Sequence, residues 1–380
     1  MTEIKPQIAI LTCEYPPFPG GIGTYAAGVE SVLREDNVPL VVAAPHYPEH
    51  PSLLDKENIH RIFGHHKISL AAFWQAAKII WRLPSNGVIL AADLRTIVLT
   101  HIITRIIQRK YIAMVHGSEA AKFRSKSIAF RLARRAYLKA SFVAYNSQAT
   151  KQIFQDGIGT PQSGEVTYLG VDARWFLPPT AFQFENKHLA SIGEAVPIVC
   201  SVGRIEARKG QVNAIRALSL ARSQYGLDDC VYVVAGKVEE SQYANTIVEE
   251  ARKEGIDVIL SGRLSENDLK LLYARAACHA LLAESLPGKI EGFGLVLLEA
   301  AAQGCPSVAT GIGGIPEVMG DTGIVVDPDD LQCAAKAFAD YAMSPRHRQS
   351  SGEAARLRAN QFTWRRCVEQ TFKTLTLDRG

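Results

Sequence analysis

Short apolar runs alternate with longer amphipathic runs along almost the whole chain. Apolar, β-branched runs bounded by Gly, Pro, Asn or Asp read as buried strands. Apolar residues at i, i+3, i+4 and i+7 read as helices covering them. In the first half this pattern predicts strands over residues 7–13, 39–44, 87–92, 111–115, 142–145 and 166–169, with helices over 24–34, 70–83, 95–109, 129–139 and 148–155. Strands that alternate singly with helices form βαβ units around a parallel sheet.

Residues 172–195 break the alternation. Pro178-Pro179, Phe182-Gln-Phe-Glu-Asn-Lys187 and Ser191-Ile-Gly-Glu194 read as a linker. The alternation then resumes, with strands over 197–203, 230–235, 258–260, 278–282, 306–309 and 323–326. Helices are predicted over 211–224, 241–254, 266–275, 295–303 and 331–341. The fold class is therefore α/β, two doubly wound domains in tandem, over residues 1–175 and 196–361. Such sheets bind ligands at the carboxyl ends of their strands, so a cleft between the two sheets is the expected site.

Composition narrows the class without naming it. A chain of 380 residues with 47% hydrophobic and 21% charged residues is an ordinary globular protein with room for two cores. No signal-peptide pattern opens it, and no apolar run approaches the ~20 residues of a membrane span, so a cytoplasmic setting is expected. The seven cysteines are scattered without a Cys-x-x-Cys pair. Free thiols are expected rather than disulfides or a metal site. Net charge is +4 but uneven: residues 1–180 hold 20 Lys+Arg and 13 Asp+Glu, residues 181–380 hold 22 and 25. The two domains thus face different partners.

The candidate chemistry centres on Glu291-Gly-Phe-Gly-Leu-Val-Leu-Leu-Glu299, two carboxylates around a glycine turn that opens into an apolar helix ending at Gly304. The first turn of that helix offers free N–H groups and the positive end of the helix dipole, which suits a phosphate. Glu299 on a helix is by default a solvated side chain. Its neighbours are apolar on both sides, however, and a buried carboxylate needs donors such as sugar hydroxyls. A second loop, Val202-Gly-Arg-Ile-Glu-Ala-Arg-Lys-Gly210, brings Arg204 and Lys209 to the carboxyl end of a strand, where they suit a diphosphate. Incidental loop charges are the plain alternative. The first loop, Glu14 to Thr24, carries Gly20, Gly21 and Gly23 but no complete dinucleotide fingerprint, so a tight strand–helix turn remains open there. His116, followed by Gly117, ends a strand and is placed to hydrogen-bond a sugar hydroxyl or the backbone near a reacting carbon. The turn from Gly311 to Glu317 reads as a wall of the site. Asp327-Pro-Asp329 reads as helix capping rather than a metal clamp.

Together these residues resemble the family-four retaining glycosyltransferases of the GT-B fold. The likeness rests on Pro16 to Gly23, His116-Gly117, Asn146-Ser147, Gly170-Val-Asp172, Gly203-Arg204 with Lys209-Gly210, and the Glu-x7-Glu signature from Glu291 to Glu299. The resemblance implies that Gly20 and Gly21 lie against the donor's phosphate and sugar, that Arg204 and Lys209 bind the diphosphate, and that Glu291 touches the transferred sugar. It implies that Phe293, Gly294 and Leu295 support sugar and phosphates through N–H groups, and that Glu299 holds the ribose. The base is implied to lie near Leu264. It also implies that residues 362–380 pack back on the first domain, which binds the acceptor. The segment Glu284 to Ile290 is longer than the family's usual lead into the first glutamate, and reads as a flap over the donor.

The implied reaction moves a hexose from GDP-mannose or a UDP-sugar to a glycan or lipid-linked acceptor, with no cofactor and no metal. Lys122, Arg124, Lys126, Arg131, Arg134, Arg135 and Lys139, beside Phe73, Trp74 and Trp81, suit an anionic membrane surface. A solvated basic face and a core-packed aromatic helix are the plain alternative. A sugar-nucleotide epimerase and a non-catalytic sugar-nucleotide-binding module are the rival functions. A nucleic-acid partner is not expected, since no recognition motif is present.

Overall fold

The computed structural model describes residues 7–17, 20–47, 57–64, 67–117, 119 and 127–376, the last three by backbone alone. Lys122, Arg124 and Lys126 lie outside the described residues. The chain forms two compact units, Met1–Gly170 with Thr363–Gly380, and Val171–Phe362.

The first unit runs β1 (Ile8–Leu11), α1 (Gly21–Glu35), β2 (Leu40–Pro45), β3 (Ile59–Phe63), α2 (Leu70–Arg82), β4 (Val88–Ala91), α3 (Leu94–Ile107), β5 (Lys110–Val115), α4 (Ile128–Leu138), β6 (Phe142–Tyr145), α5 (Gln148–Gly157) and β7 (Gly164–Val166). Its sheet is parallel, in the order β3-β2-β1-β4-β5-β6-β7. Ile8–Leu11 and Val88–Ala91 are buried along their whole length, as expected of strands covered on both faces. Asp93 fixes the start of α3 with a capping box and also accepts the N–H of Cys13 at 2.6 Å, which locks the ends of β1 and β4 together.

The second unit runs α6 (Lys187–Ala190), β8 (Ile198–Val202), α7 (Gln211–Tyr225), β9 (Val231–Ala235), α8 (Ser241–Glu254), β10 (Asp257–Gly262), α9 (Glu266–Arg275), β11 (Cys278–Leu281), α10 (Leu295–Ala302), β12 (Ser307–Thr310), α11 (Ile315–Met319), β13 (Ile324–Val326), α12 (Leu331–Met343) and α13 (Pro345–Ala359). Its parallel sheet has the order β10-β9-β8-β11-β12-β13. The winding reverses between β8 and β11, and the loops after those two strands therefore open at a switch point. α14 (Trp364–Thr376) then rejoins the first unit.

Several elements depart from the sequence reading. β3 carries His60 and Arg61 between apolar residues, which hid an edge strand. α13 has charged and small residues all round and no clear apolar stripe, so periodicity missed it. The segment read as a linker is fastened to the second unit. Asn267 Oδ1 accepts the N–H groups of Thr180 and Ala181 at 2.6 and 3.2 Å, and buried Asp268 accepts those of Glu185 and Asn186 at 2.9 and 3.0 Å. The cap of α12 is Asp330, while Asp327 accepts the N–H of Asp329 in a turn. All seven cysteines are free thiols; Cys333 is exposed, Cys230 half-buried and the rest buried.

α14 docks through Trp364. A Cβ placed on Gly28 of α1 would lie 2.3 Å from the Trp364 ring, and one on Gly170 would lie 2.2 Å from its backbone N. Only glycine leaves room for the indole at position 28 and for the Trp364 backbone at position 170. Gly28→Ala is accordingly expected to overpack this contact and cost about 1–3 kcal/mol, read as a lower urea midpoint. An unchanged midpoint would show that Trp364 does not anchor the last helix.

Candidate functional site

The loop after β8 carries Arg204, Arg208 and Lys209. Its residues Ala207–Lys209 form a 3-10 turn, closed by Gly210 at φ 67°. A Cβ on Gly210 would meet the carbonyl oxygen of Leu282 at 1.6 Å, so this loop and the loop after β11 touch backbone to backbone. Lys209 Nζ lies 2.7 Å from Glu291 Oε2, and Arg208 Nη1 lies 2.5 Å from the same oxygen. Arg208 also donates to Glu206 at 2.7 Å. Glu206, Arg208 and Glu291 are all buried. Removing one member of such a buried ion pair typically costs 3–5 kcal/mol, because the partner charge is stranded.

Glu291 is held from the other side by the loop after β12. Gly314 N–H donates to its carbonyl oxygen at 3.1 Å, and a Cβ on Gly313 would sit 1.9 Å from that oxygen. Lys209 and Arg208 hold the Glu291 carboxyl down at about 2 against the opposing effect of its burial. It is a carboxylate throughout the physiological range.

Glu299 behaves in the opposite way. It lies in the second turn of α10, half-buried, and its carboxyl is pushed up to about 7 by burial, with Arg174 pulling it down and Glu266 adding to the rise. No hydrogen bond or ion pair to this carboxyl occurs among the described residues. Arg174 instead pairs with Glu266 at 3.2 Å. The turn into α10 is Phe293-Gly294-Leu295. Phe293 is buried against the Phe362 ring at 6.0 Å, and Gly294, at φ 88°, caps the helix with no side chain. The first-turn N–H groups of α10 therefore meet no capping side chain. Leu264 is half-buried between β10 and α9.

The structure thus brings Lys209 and Glu291 together. Arg204 stands apart: it is 56% exposed, and its guanidinium lies 3.4 Å from Glu206 on the open side. Four residues of this cluster were missed from the sequence: Glu206, Arg208, Glu240 and Lys289. Adjacent cations in the loop hinted at Arg208, but its partner Glu291 is 83 positions away and no spacing rule connects them. The segment read as a flap is a tight turn closed between Leu286 and Lys289. Lys289 Nζ reaches Glu240 at 2.7 Å, and Glu240 also accepts the N–H of Ala207 at 3.2 Å. The turn is tied to the cationic loop rather than left open.

In the first unit the glycines are placed differently from the expectation. α1 starts at Gly21, so Gly21 and Gly23 belong to its first turn, and Gly20 is its cap. The shift has a simple cause: the helix gains a hydrogen bond from Thr24 N–H to Gly20 at 2.9 Å. A Cβ on Gly20 would approach the Glu14 carboxylate to 2.7 Å. His116 ends β5. Its Nε2 donates to the Ala92 carbonyl at 3.0 Å and its ring meets Tyr25 edge-on at 5.3 Å. Burial lowers its pKa to about 4, only partly offset by Ala92 and Asp93. The imidazole is neutral near pH 7, with Nδ1 as its acceptor. Asn146 donates to its carbonyl oxygen at 3.0 Å.

Comparison with known proteins places both halves of the chain. Residues 183–358 match the family described as Glycosyl transferases group 1, and residues 19–175 match Glycosyltransferase Family 4. The chain is 27% identical, over 94% of both chains, to the GDP-mannose-dependent alpha-(1-6)-phosphatidylinositol monomannoside mannosyltransferase of Mycolicibacterium smegmatis. It is 28% identical over 46% of its length, and 45% of the other's, to the O-antigen chain mannosyltransferase B of Escherichia coli. Among solved structures, HepE of Anabaena in complex with UDP-glucose superposes with a TM-score of 0.78 at 20% identity, covering 98% of this chain and 100% of that one. The sucrose-phosphate synthase of Thermosynechococcus elongatus gives 0.76 at 16% identity, with 98% and 99% covered.

The raised Glu299 carboxyl has a consequence for stability. Burial lets the folded state keep this proton up to about pH 7, while the unfolded chain releases it near 4.5. Its contribution is therefore complete below 4.5 and lost as pH rises through 7. Glu299→Gln keeps the group neutral and is expected to remove a decline on the order of 2–3 kcal/mol over that window. Urea titrations of both proteins at several pH values read it directly, and parallel curves would refute it.

Proposed function

Because the chain belongs to the family-four glycosyltransferases of the GT-B fold, we propose that it transfers a hexose, retaining anomeric configuration, from a nucleoside-diphosphate sugar to a hydroxyl of a lipid-linked or cell-envelope glycan acceptor. GDP-mannose is the first candidate donor. The observation that carries the reading is the cluster at the β8/β11 switch point: Lys209 and Arg208 on one carboxylate of Glu291, beside a helix start with no capping side chain. A mannosyltransferase relative matched over 94% of both chains supports the choice of sugar nucleotide, and its phosphatidylinositol-linked substrate supports a lipid-linked acceptor.

In this reading the donor diphosphate lies against Lys209, Arg204 and the first turn of α10. These groups supply the charge neutralisation that a divalent metal would otherwise bring. Glu291 takes sugar hydroxyls through the oxygen not engaged by the two cations. Glu299 accepts the ribose hydroxyls, which provide the donors its carboxyl lacks. His116, neutral and fixed by Ala92, offers Nδ1 to a hydroxyl near the reacting carbon. Leu264 borders the base. The acceptor oxygen attacks the face from which the diphosphate departs, and the departing phosphate oxygen takes the proton. The protein contributes position and fixed charge rather than a covalent nucleophile. We place the work at the cytoplasmic face of a membrane.

A thermal-shift series with GDP-mannose, UDP-glucose, UDP-N-acetylglucosamine and UDP-galactose tests the donor. A ligand held at about 100 times its Kd stabilises the folded protein by about 2.7 kcal/mol, and GDP-mannose is expected to give the largest rise. No shift with any of the four would sink the donor reading, and donor turnover without an acceptor would favour an epimerase.

The two carboxylates are expected to separate by kinetics. Glu299→Ala weakens nucleotide binding roughly 10- to 100-fold. Glu291→Gln leaves nucleotide affinity within a few-fold and lowers transfer roughly 100-fold or more. Calorimetric titration with GDP beside a transfer assay distinguishes them, and equal nucleotide affinity in wild type and Glu299→Ala would contradict the ribose assignment.

A further inference from the structure

The helical layer formed by α2, α3 and α4 is basic and carries no acids. Between residues 67 and 139 the sequence holds 14 Lys+Arg and only two acids, Asp93 and Glu119. Asp93 is buried at the cap of α3, and Glu119 accepts the His116 N–H. Neither neutralises the outer face. Among the described residues, Lys78, Arg82, Arg105, Arg131, Arg135 and Lys139 are exposed and have no carboxylate partner.

The same layer exposes large apolar groups. On α2, Ala72, Ala76 and Ile80 are buried, while Leu70, Trp74 and Trp81 face outward at 74%, 65% and 69% exposure. Steps of four and seven residues set these three along one stripe of the helix. Ile106 on α3 and Ile128 on α4 extend the apolar face at 82% and 76% exposure. The two tryptophans are not core residues, so the alternative of a core-packed aromatic helix is set aside.

We propose that the outer face of α2, α3 and α4 docks on an anionic lipid bilayer, with Trp74 and Trp81 entering the headgroup boundary and the surrounding Lys and Arg side chains holding lipid phosphates. Tryptophan settles at the membrane–water boundary because its ring is apolar and its N–H polar. Basic residues near an anionic leaflet each add a further increment of attraction. A polyanion such as nucleic acid would use the charge but would leave Leu70, Ile106 and both indoles in water. A protein partner would find the apolar residues spread over three helices rather than gathered into one buried core. The inference does not depend on the donor assignment, since every residue in it lies in the first unit and outside the cluster of the second.

Flotation of the full chain with vesicles of equimolar phosphatidylglycerol and phosphatidylcholine, against pure phosphatidylcholine, provides the test. The protein is expected to float with the anionic vesicles and to show a blue shift of tryptophan emission. The other two tryptophans, Trp175 and Trp364, are each only 8% exposed, so the shift reports Trp74 and Trp81. The double variant Trp74→Ser/Trp81→Ser is expected to lose the shift and at least tenfold in partition. Lys78→Glu/Arg82→Glu is expected to lose roughly twentyfold or more. These side chains are exposed, so melting temperatures should stay at the wild-type value. Should either variant melt early, quenching of the wild-type emission by brominated lipid gives the same answer without substitution. Absence of flotation at low salt overturns the proposal. So does partition that survives the tryptophan substitutions, or displacement of vesicles by duplex DNA at equal charge.

Discussion

Two cations share a single carboxylate oxygen at the centre of the second unit. Arg208 and Lys209 both meet Oε2 of Glu291, at 2.5 and 2.7 Å, and the arrangement holds only because three loops are fixed around it. Gly210 brings the loop after β8 against Leu282, Gly313 and Gly314 bring the loop after β12 against Glu291 and Gly292, and Glu206 balances Arg208 from behind. Buried charge is tolerated here because each group has partners. If the carboxylate is taken out, two cations are left side by side in a largely buried loop. If the glycines are taken out, the carboxylate moves. The chemistry and the backbone packing are one constraint.

The two glutamates of the Glu-x7-Glu run show how burial gives identical side chains different properties. Glu291 sits among cations and is ionised at any working pH, whereas Glu299 sits among apolar residues of α10 and holds its proton to about 7. One is satisfied by its cations, and the other is an acceptor for which no donor occurs among the described residues. His116 adds a third case: burial and the Ala92 carbonyl select one neutral tautomer.

Much of this architecture was legible in the chain. The strands that build both sheets announced themselves as apolar runs because strands of a doubly wound sheet are buried on both faces, and the turn before α10 stood out by its glycines. What escaped had physical reasons. β3 is an edge strand and keeps polar residues. α13 presents no apolar stripe, and its packing works through Gly352 against the backbone of Gly304 rather than through large side chains. The segment before β8 looked like a linker because its order comes from Asn267 and Asp268, more than 80 residues on. Glu206, Arg208, Glu240 and Lys289 were missed because ion pairs between separate loops leave no local period in sequence. The start of α1 was misjudged by three residues because Gly21 and Gly23, read as loop, are helical.

The uneven accessibility of the thiols has a practical corollary. Six of the seven sulfurs are wholly or partly enclosed, and burial pushes Cys230 up to about 12, so it forms little thiolate at neutral pH. Cys333, in the first turn of α12, is open to solvent. A maleimide dye would thus attach at one defined point on the second unit, giving a fluorescent handle without prior removal of the native cysteines.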